Sequence, residues 1–441
     1  MSRSILPLLL LCATLPACGE PPADTKAPNY DRKLAVQQDY RPPQGWQTEC
    51  VGYHLIDLPG PIEVAIGGSP GFEKNLFTRG DLIDIGEAWV KVVEARDLTH
   101  TEFVKLANST EARDANVRDL QEKLKDRQER LQEAIHAKQR SETDPNHVEN
   151  PENPTPTESD IRISREQVKQ MEDWIQESLA AKATWIDHDS FLWANESVQV
   201  LRPPYLYEFS FKKHTSIEEA RAFVQRFQTR KLGEIPPEAG FCIPFGFIRG
   251  VSGFPYNDQT TFRVKGEPGV LYTVKFKTNV DGSEGVATDV AVKGLAGLMG
   301  KLQTKTLVLP MEWLPVGPYQ GVLTGFHAKP YKETKLPDGR IRIERRDKKS
   351  QPYIEIRKNQ GEIYHVDAGF SGLADDLMVP AVAAELNGFA YDADPIMNNQ
   401  PAKSLEATLP DFKRFIASVR LREENARALR DQAVIKSSKT Q

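Results

Sequence analysis

Cys50-Val51-Gly52-Tyr53-His54-Leu55-Ile56-Asp57-Leu58-Pro59 decides the fold when read beside Gly240-Phe241-Cys242-Ile243-Pro244-Phe245-Gly246-Phe247-Ile248. Both are short apolar runs with β-branched and aromatic residues, bounded by Pro or Gly, which is the pattern of strands. Each carries one cysteine near its start. Loss of the export signal described below leaves Cys18, Cys50 and Cys242, and Cys18 has a chemistry of its own. In an oxidising compartment Cys50 and Cys242 are natural disulfide partners, the alternative being two separate buried thiols. A bridge would tie the opening strands of two halves of the chain together. It would close a loop of roughly two hundred residues, an effect of about 4–5 kcal/mol on the chain-entropy account.

A chain of 441 residues exceeds one compact core and predicts two domains with additions. Its 39% hydrophobic and 8% aromatic content supports packed interiors, while 27% charged residues and a mean hydropathy of -0.50 leave much of the surface solvated. The formal net charge is -5. Basic residues do not cluster with interleaved aromatics, so nucleic acid is not an expected partner.

The N-terminus reads as an address. Arg3 supplies a positive charge, and residues 5–11 form an apolar run too short to span a bilayer. Leu15-Pro16-Ala17-Cys18-Gly19 resembles a bacterial lipobox, although Pro16 is an unusual residue there. Residues 1–18 are then a lipoprotein signal peptide, with Cys18 as the lipidation site; an ordinary cleaved signal is the alternative. Acyl chains at about 0.8 kcal/mol per buried methylene would anchor the protein to a membrane without a spanning helix. Gly19, rather than Asp, points to the outer membrane, facing the periplasm. Residues 19–47 are polar and interrupted by Pro21, Pro22, Pro28, Pro42 and Pro43, the composition of a flexible tether.

The expected fold class is α+β: two domains of mostly antiparallel sheet with packed helices, plus an antiparallel helical hairpin inserted in the first. The first domain, residues 48–235, opens with the Cys50 strand and a second short strand at 62–66. A helix is expected at about 82–106, from Ile83, Trp89, Val90, Val93 and Phe103. The insertion, 109–183, carries a coiled-coil-like seam of Val117, Leu120, Leu124, Leu131 and Ile135 on one arm. Val168, Met171, Ile175 and Leu179 line the other. Between the arms, residues 141–160 hold Pro145, Pro151, Pro154 and Pro156 with six acidic residues and no Lys or Arg, which reads as a disordered acidic tip. Tyr205, Tyr207, Phe209 and Phe211 alternate as the inner face of a strand. Thr215-Ser216-Ile217-Glu218 reads as a capping box that opens a helix.

The second domain, residues 236–422, follows the hinge-like Gly233-Glu234-Ile235-Pro236-Pro237. Strands are expected around Cys242 and at 260–264, 270–277, 305–309, 321–327, 340–345 and 353–358, with a helix at 288–302. Pro410 would open a closing helix with Phe412, Phe415, Ile416 and Val419 on one face. Residues 423–441 read as a polar helical or disordered tail.

Candidate chemistry is sparse. Gly67-Gly68-Ser69-Pro70-Gly71 matches the G-x-S-x-G nucleophile elbow, but that elbow needs an N–H after the serine and Pro70 has none. A turn accounts for the same residues. The eight histidines are scattered. Only Asp187-His188-Asp189 and His365-Val366-Asp367 place imidazole beside carboxylate, and surface turns account for both. The reading assigns no catalytic residue, no metal and no cofactor.

Cys50-Val51-Gly52 followed by Leu55-Ile56-Asp57-Leu58-Pro59 resembles the start of the immunity proteins that guard bacteria against type VI secretion phospholipase effectors. Glu234-Ile235-Pro236-Pro237-Glu238-Ala239-Gly240-Phe241-Cys242-Ile243, with Gly246-Phe247-Ile248, resembles the start of that family's C-terminal domain. Ser418-Val419-Arg420-Leu421-Arg422 is similar to its close. Tyr53 departs from the family, where arginine is expected, and the hairpin looks like an insertion. The resemblance implies a non-enzymatic lipoprotein whose partner is a cognate secreted lipase effector, held through an interface of well over ~1,200 Å². It leaves the effector-binding residues unknown. An envelope lipoprotein with a structural or carrier role is the alternative.

Overall fold

The computed structural model describes residues 35–37, 40–66, 83–143, 154–180, 182–267, 269–280, 305–329, 332–337, 341–346, 352–357, 363–388 and 402–439. The export signal with Cys18, the elbow-like run around Ser69, the centre of the acidic tip and the helix expected at 288–302 lie outside the described residues. The fold is α+β with mostly antiparallel sheets. Its contacts divide into two compact units: Met1–Glu94 with Gln225–Gln441, and Ala95–Val224. Composition placed a division at 235/236 instead. Residues on either side of Pro236-Pro237 belong to the same unit.

The first unit opens with β1 (Trp46–Val51), β2 (His54–Pro59), β3 (Ile62–Val64), β4 (Ile83–Asp84) and β5 (Ala88–Glu94). The tether expected over 19–47 therefore gives way to strand at Trp46. Part of it is also docked: Ala35 is buried, and Gln37 Nε2 donates to the Val419 carbonyl at 2.9 Å. The helix expected at 82–106 is strand over its first half. Ala88, Val90 and Val92 face inward while Trp89 and Lys91 face out, a period of two that makes one buried face only in an extended chain.

The second unit starts with α1 (His100–Asn108), whose Thr99 N-cap forms a capping box with Glu102. The helical hairpin follows as α2 (Glu111–Thr143) and α3 (Glu158–Ala180). It is antiparallel: Lys138 pairs with Glu158, Arg127 with Gln167, and Gln128 with Glu172. Val117 and Leu131 on one arm and Ile161, Met171 and Ile175 on the other are buried, whereas Leu179, expected in the seam, is 47% exposed. A meander follows, β6 (Ala183–Asp187), β7 (Ser190–Trp193), β8 (Ser197–Arg202) and β9 (Tyr205–Phe211), each strand antiparallel to the next. In β9, Tyr207 and Phe209 are fully buried, as the alternation predicts. The capping box of α4 (Ile217–Arg226) is Ser216 with Glu219, one residue later than expected, because only that pair exchanges both bonds.

The chain returns to the first unit through β10 (Phe227–Thr229), β11 (Gly240–Ile243), β12 (Gly246–Arg249), β13 (Asn257–Val264) and β14 (Val270–Lys277). Then come β15 (Lys305–Val316), β16 (Tyr319–Lys329), β17 (Lys332–Lys335), β18 (Ile341–Arg346), β19 (Pro352–Arg357), β20 (Ile363–Phe370) and β21 (Ala381–Gly388). The last elements are α5 (Leu405–Ala417), β22 (Arg420–Leu421) and α6 (Glu423–Lys439). The main sheet of this unit runs β15-β16-β20-β21-β14-β13, and β3 and β4 also pair with β13. Three smaller sheets are β1-β2-β22, β10-β12-β11 and β17-β18-β19.

Helix α5 covers the main sheet with Phe412, Phe415 and Ile416, all fully buried. Phe415 meets the edge of Tyr272 at 5.6 Å, and Tyr364 Oη lies 2.9 Å from Thr408 Oγ1. This helix starts at a Ser404 cap, with Pro410 in its interior rather than at its start. Leu405 and Thr408 are buried on the same side as Phe412, so an extra turn of apolar face outweighs the hydrogen bond that proline forgoes. The tail expected after Arg422 is helical from Glu423, yet its first turns are not solvated: Asn425, Ala426 and Leu429 are buried.

Candidate functional site

The two stretches that opened the sequence reading meet in the first unit. β1 and β2 pair with Val51 opposite His54, leaving Gly52-Tyr53 as the turn. β11 and β12 pair with Ile243 opposite Gly246. Gly52 N–H donates to the Cys242 carbonyl at 2.9 Å, and Cys242 N–H returns the bond to the Gly52 carbonyl at 2.9 Å. Two residues before Gly52, Cys50 is joined to the same Cys242 in a disulfide with their Cα atoms 5.7 Å apart. Both cysteines are buried against Phe247. Gly52 has φ +55°, and a Cβ there would stand 3.1 Å from Asp258 Oδ2, so conformation and space both call for glycine. Tyr53 fills the core beside it, edge-on to Phe241 at 4.9 Å and to Tyr256 at 5.1 Å.

Three buried arginines surround this joint. The Arg230 guanidinium pairs with Glu49 at 2.5 Å and donates to the carbonyls of Cys50 (2.9 Å) and Gly246 (3.1 Å). Glu49 is completed by the N–H groups of Cys50 and Gly233. Arg420 pairs with Asp57 at 3.1 Å, and Asp57 N–H donates to Ser418 Oγ. Arg422 has carbonyls as acceptors: Pro236 at 2.5 Å, Glu238 at 2.7 Å and Gly240 at 3.2 Å. Asn425 closes the ring, accepting from Gly240 N–H at 2.7 Å and donating to the Tyr53 and Gly240 carbonyls. The C-terminal run Ser418–Arg422 is thereby locked to both hairpins. Periodicity could not single out Glu49, Arg230 or Asn425, since their burial is set by partners distant in sequence. Arg420 and Arg422 entered the reading only through the resemblance.

The bonds of this joint hold segments of chain together. Both sulfurs are consumed in the bridge, and Glu49 and Asp57 are each paired with an arginine. The histidines of the first unit are similarly engaged. His54 stacks on Phe276 at 4.4 Å, and burial lowers its pKa to about 3, so it is neutral. In the His365-Val366-Asp367 group, His365 Nε2 lies 2.8 Å from Asp367 Oδ2 and Nδ1 lies 2.5 Å from Asn387 Oδ1. Burial opposes charge on this ring, but the bond to Asp367 and its charge overcome that and raise the pKa. Asp258 is fully buried beside Gly52, and burial raises its pKa to about 7 against the lowering effects of Thr260 and Arg230.

In the second unit Asp187-His188-Asp189 forms the β6–β7 turn, as expected. The structure adds His100, whose ring stacks on His188 at 3.8 Å. Their separation of 88 residues hides the pairing from any local motif.

No family model matches the chain, and no curated protein matches it. Solved structures similar to it include a chain described as "The crystal structure of Tle4-Tli4 complex", at 15% identity over 87% of this chain and 99% of that one, with a TM-score of 0.46. The apo structure of the T6SS immunity protein TplEi from Pseudomonas aeruginosa is similar at 15% identity, covering 86% and 98% of the two chains, with a TM-score of 0.44. The same immunity protein complexed with an "L" peptide gives 16% identity, 86% and 99% coverage and a TM-score of 0.42.

Replacing Cys50 and Cys242 together by serine should lower stability by about 2–5 kcal/mol in chemical denaturation. Titration adds a second expectation with opposed signs. Asp258, raised to about 7, gives stability that is lost as pH rises from near 4 through 7. His54, lowered to about 3, gives stability that is lost as pH falls below 6.5. The two nearly cancel in the wild type between those limits. Asp258→Asn should therefore make stability rise with pH over 4–6.5, and His54→Phe should make it fall, each by up to about 1.4 kcal/mol per pH unit. Urea titrations at several pH values measure both slopes.

Proposed function

We propose that this chain is an immunity protein that binds and inhibits a type VI secretion lipase effector, with no catalysis of its own. The observation that carries the reading is where the family-like residues sit. The run from Cys50, the run from Glu234 and the run ending at Arg422 are far apart in sequence, yet all three belong to one joint, bonded through Gly52, Cys242, Arg422 and Asn425. A catalytic role would require free nucleophiles and bases; here the family-like residues are spent on disulfide, ion pairs and backbone contacts. Such a joint gives a binder a fixed surface, and a preorganised surface loses less entropy on meeting its target.

The address is part of the proposal. Acylation of Cys18 would hold the protein at the outer membrane facing the periplasm, where a lipase delivered from a neighbouring cell would act. The anchor raises local concentration; binding belongs to the folded body.

The test combines protection and capture. Deleting the gene should sensitise cells to attack by sister cells that deliver the cognate lipase. The purified protein should suppress that lipase's hydrolysis of phospholipid vesicles at an equimolar ratio. Cys18→Ser should leave the membrane fraction for the soluble periplasm and still protect at high expression. Unchanged survival of the deletion strain, together with a lipase that stays active and does not co-purify, would refute the immunity reading. Wild-type protein found wholly soluble would refute the anchor alone.

A further inference from the structure

Residues 99 to 103 and 185 to 191 are far apart in sequence but are fixed against one another inside the second unit. Phe103 of α1 is fully buried and packs on Phe191 of β7 at 5.1 Å and on Trp185 of β6 at 5.9 Å. These contacts hold the first residue of α1, His100, over the β6–β7 turn. The turn is itself braced: Asp187 Oδ1 accepts from Asp189 N–H at 2.9 Å and from Ser190 Oγ at 2.7 Å. The capping box braces the helix start in the same way.

We propose that His100, His188 and Asp189 bind one divalent transition-metal ion of the zinc class, as a clamp between the start of α1 and the β6–β7 turn. Donor atoms from all three residues lie within 4.8 Å of one another. Donors around a four-coordinate zinc with bonds of 2.0–2.2 Å stand about 3.3 Å apart. Side-chain rotation closes that gap, because the His188 and Asp189 side chains are 75% and 44% accessible. Two imidazoles and a carboxylate are the donor set that zinc, copper and nickel favour over magnesium or calcium.

The hydrogen bonds place the ion. His188 Nδ1 lies 2.7 Å from Asp189 Oδ1, with one proton between them. The metal takes the place of that proton, which passes through solvent to Nε2 of the same ring, so Nδ1 and the carboxylate each offer a lone pair. His100 Nε2 is 2.8 Å from the His188 carbonyl, which can only accept. That nitrogen therefore carries the ring proton and Nδ1 keeps its lone pair, matching the pattern in which a metal-bound imidazole donates its other N–H to a carbonyl. Arg202 Nη1 lies 3.6 Å from Asp189 Oδ2 but is engaged by the Leu201 carbonyl at 2.8 Å, so it competes only weakly for the carboxylate. Solvent would complete the coordination.

The test uses the full-length chain, freed of metal by chelation, with Zn²⁺ alone as titrant in calorimetry and Co²⁺ as a spectroscopic probe. The wild type should bind one equivalent at micromolar or tighter affinity. Its Co²⁺ complex should show d–d bands without sulfur charge transfer. His100→Ala and His188→Ala should each weaken binding at least tenfold. Zn²⁺ should raise the melting temperature of the wild type and leave that of the double variant unchanged. Melts without metal, expected within a few degrees of one another, establish that the variants fold. Binding by the double variant as tight as wild type, or no wild-type binding below millimolar Zn²⁺, would overturn the proposal.

Discussion

Gly52 and Cys242 exchange a pair of backbone hydrogen bonds, and everything around them in the first unit is arranged to let two hairpins approach that closely. The approach needs a residue without a side chain at Gly52, where φ is positive and Asp258 stands alongside. It needs a second one at Gly240, where a Cβ would fall 2.3 Å from the Ile248 carbonyl. The Cys50–Cys242 bridge then makes the approach permanent across 192 residues of chain. Because α6 begins at the same place, with Asn425 bonded to both hairpins, the start, middle and end of this unit share one set of contacts.

Such a joint carries a large desolvation cost. Glu49, Asp57, Arg230 and Arg420 are nearly inaccessible, and Arg422, also buried, is held by backbone carbonyls. An ion pair of this kind is weak evidence for net stability, since apolar replacements of equal volume can do as well. Removing one partner is another matter: a lone buried charge costs about 3–5 kcal/mol. The arrangement therefore penalises wrong pairings more than it rewards the right one. Every donor of Arg230 and Arg422 named above ends on a backbone oxygen or on Glu49, so the arginines report whether the hairpins and the C-terminal run are in register. For a protein proposed to present a fixed surface to an attacking enzyme, that selectivity is the useful property.

Legibility in the sequence followed the range of the interaction. Tyr207 and Phe209 were readable because their burial alternates within one strand, and the hairpin seam because Val117, Met171 and Ile175 repeat at helical spacing. Cysteine arithmetic pointed to Cys50 and Cys242 as partners, because the expected signal and lipidation site account for the other two cysteines. Residues 83 to 94 were misread as helix, since Ile83, Trp89, Val90 and Val93 fit a helical face about as well as a strand. The sequence reading starts the closing helix at Pro410 and does not find its Ser404 cap, because proline is the louder signal at a helix start. Asn425 reads as part of a polar tail, and Arg420 and Arg422 stand out only through the resemblance. Their partners, Asp57, Pro236 and Gly240, lie more than a hundred and eighty residues away, and no local pattern reports such a bond. The His100–His188 pair was hidden for the same reason.

Native-state hydrogen exchange, followed residue by residue in the intact chain, tests most directly whether the three segments act as one joint. The amides of Gly52 and Cys242, which bond to each other's carbonyls, and of Arg422, which bonds to the Tyr53 carbonyl, are the reporters. The account predicts that all three exchange only through the same opening, with one free energy and one denaturant dependence, at the top of the range for their unit. An Arg422 amide that exchanges through a separate, cheaper opening while Gly52 and Cys242 stay protected would contradict it, because the C-terminal run would then be an attachment to the hairpins and not part of what holds them.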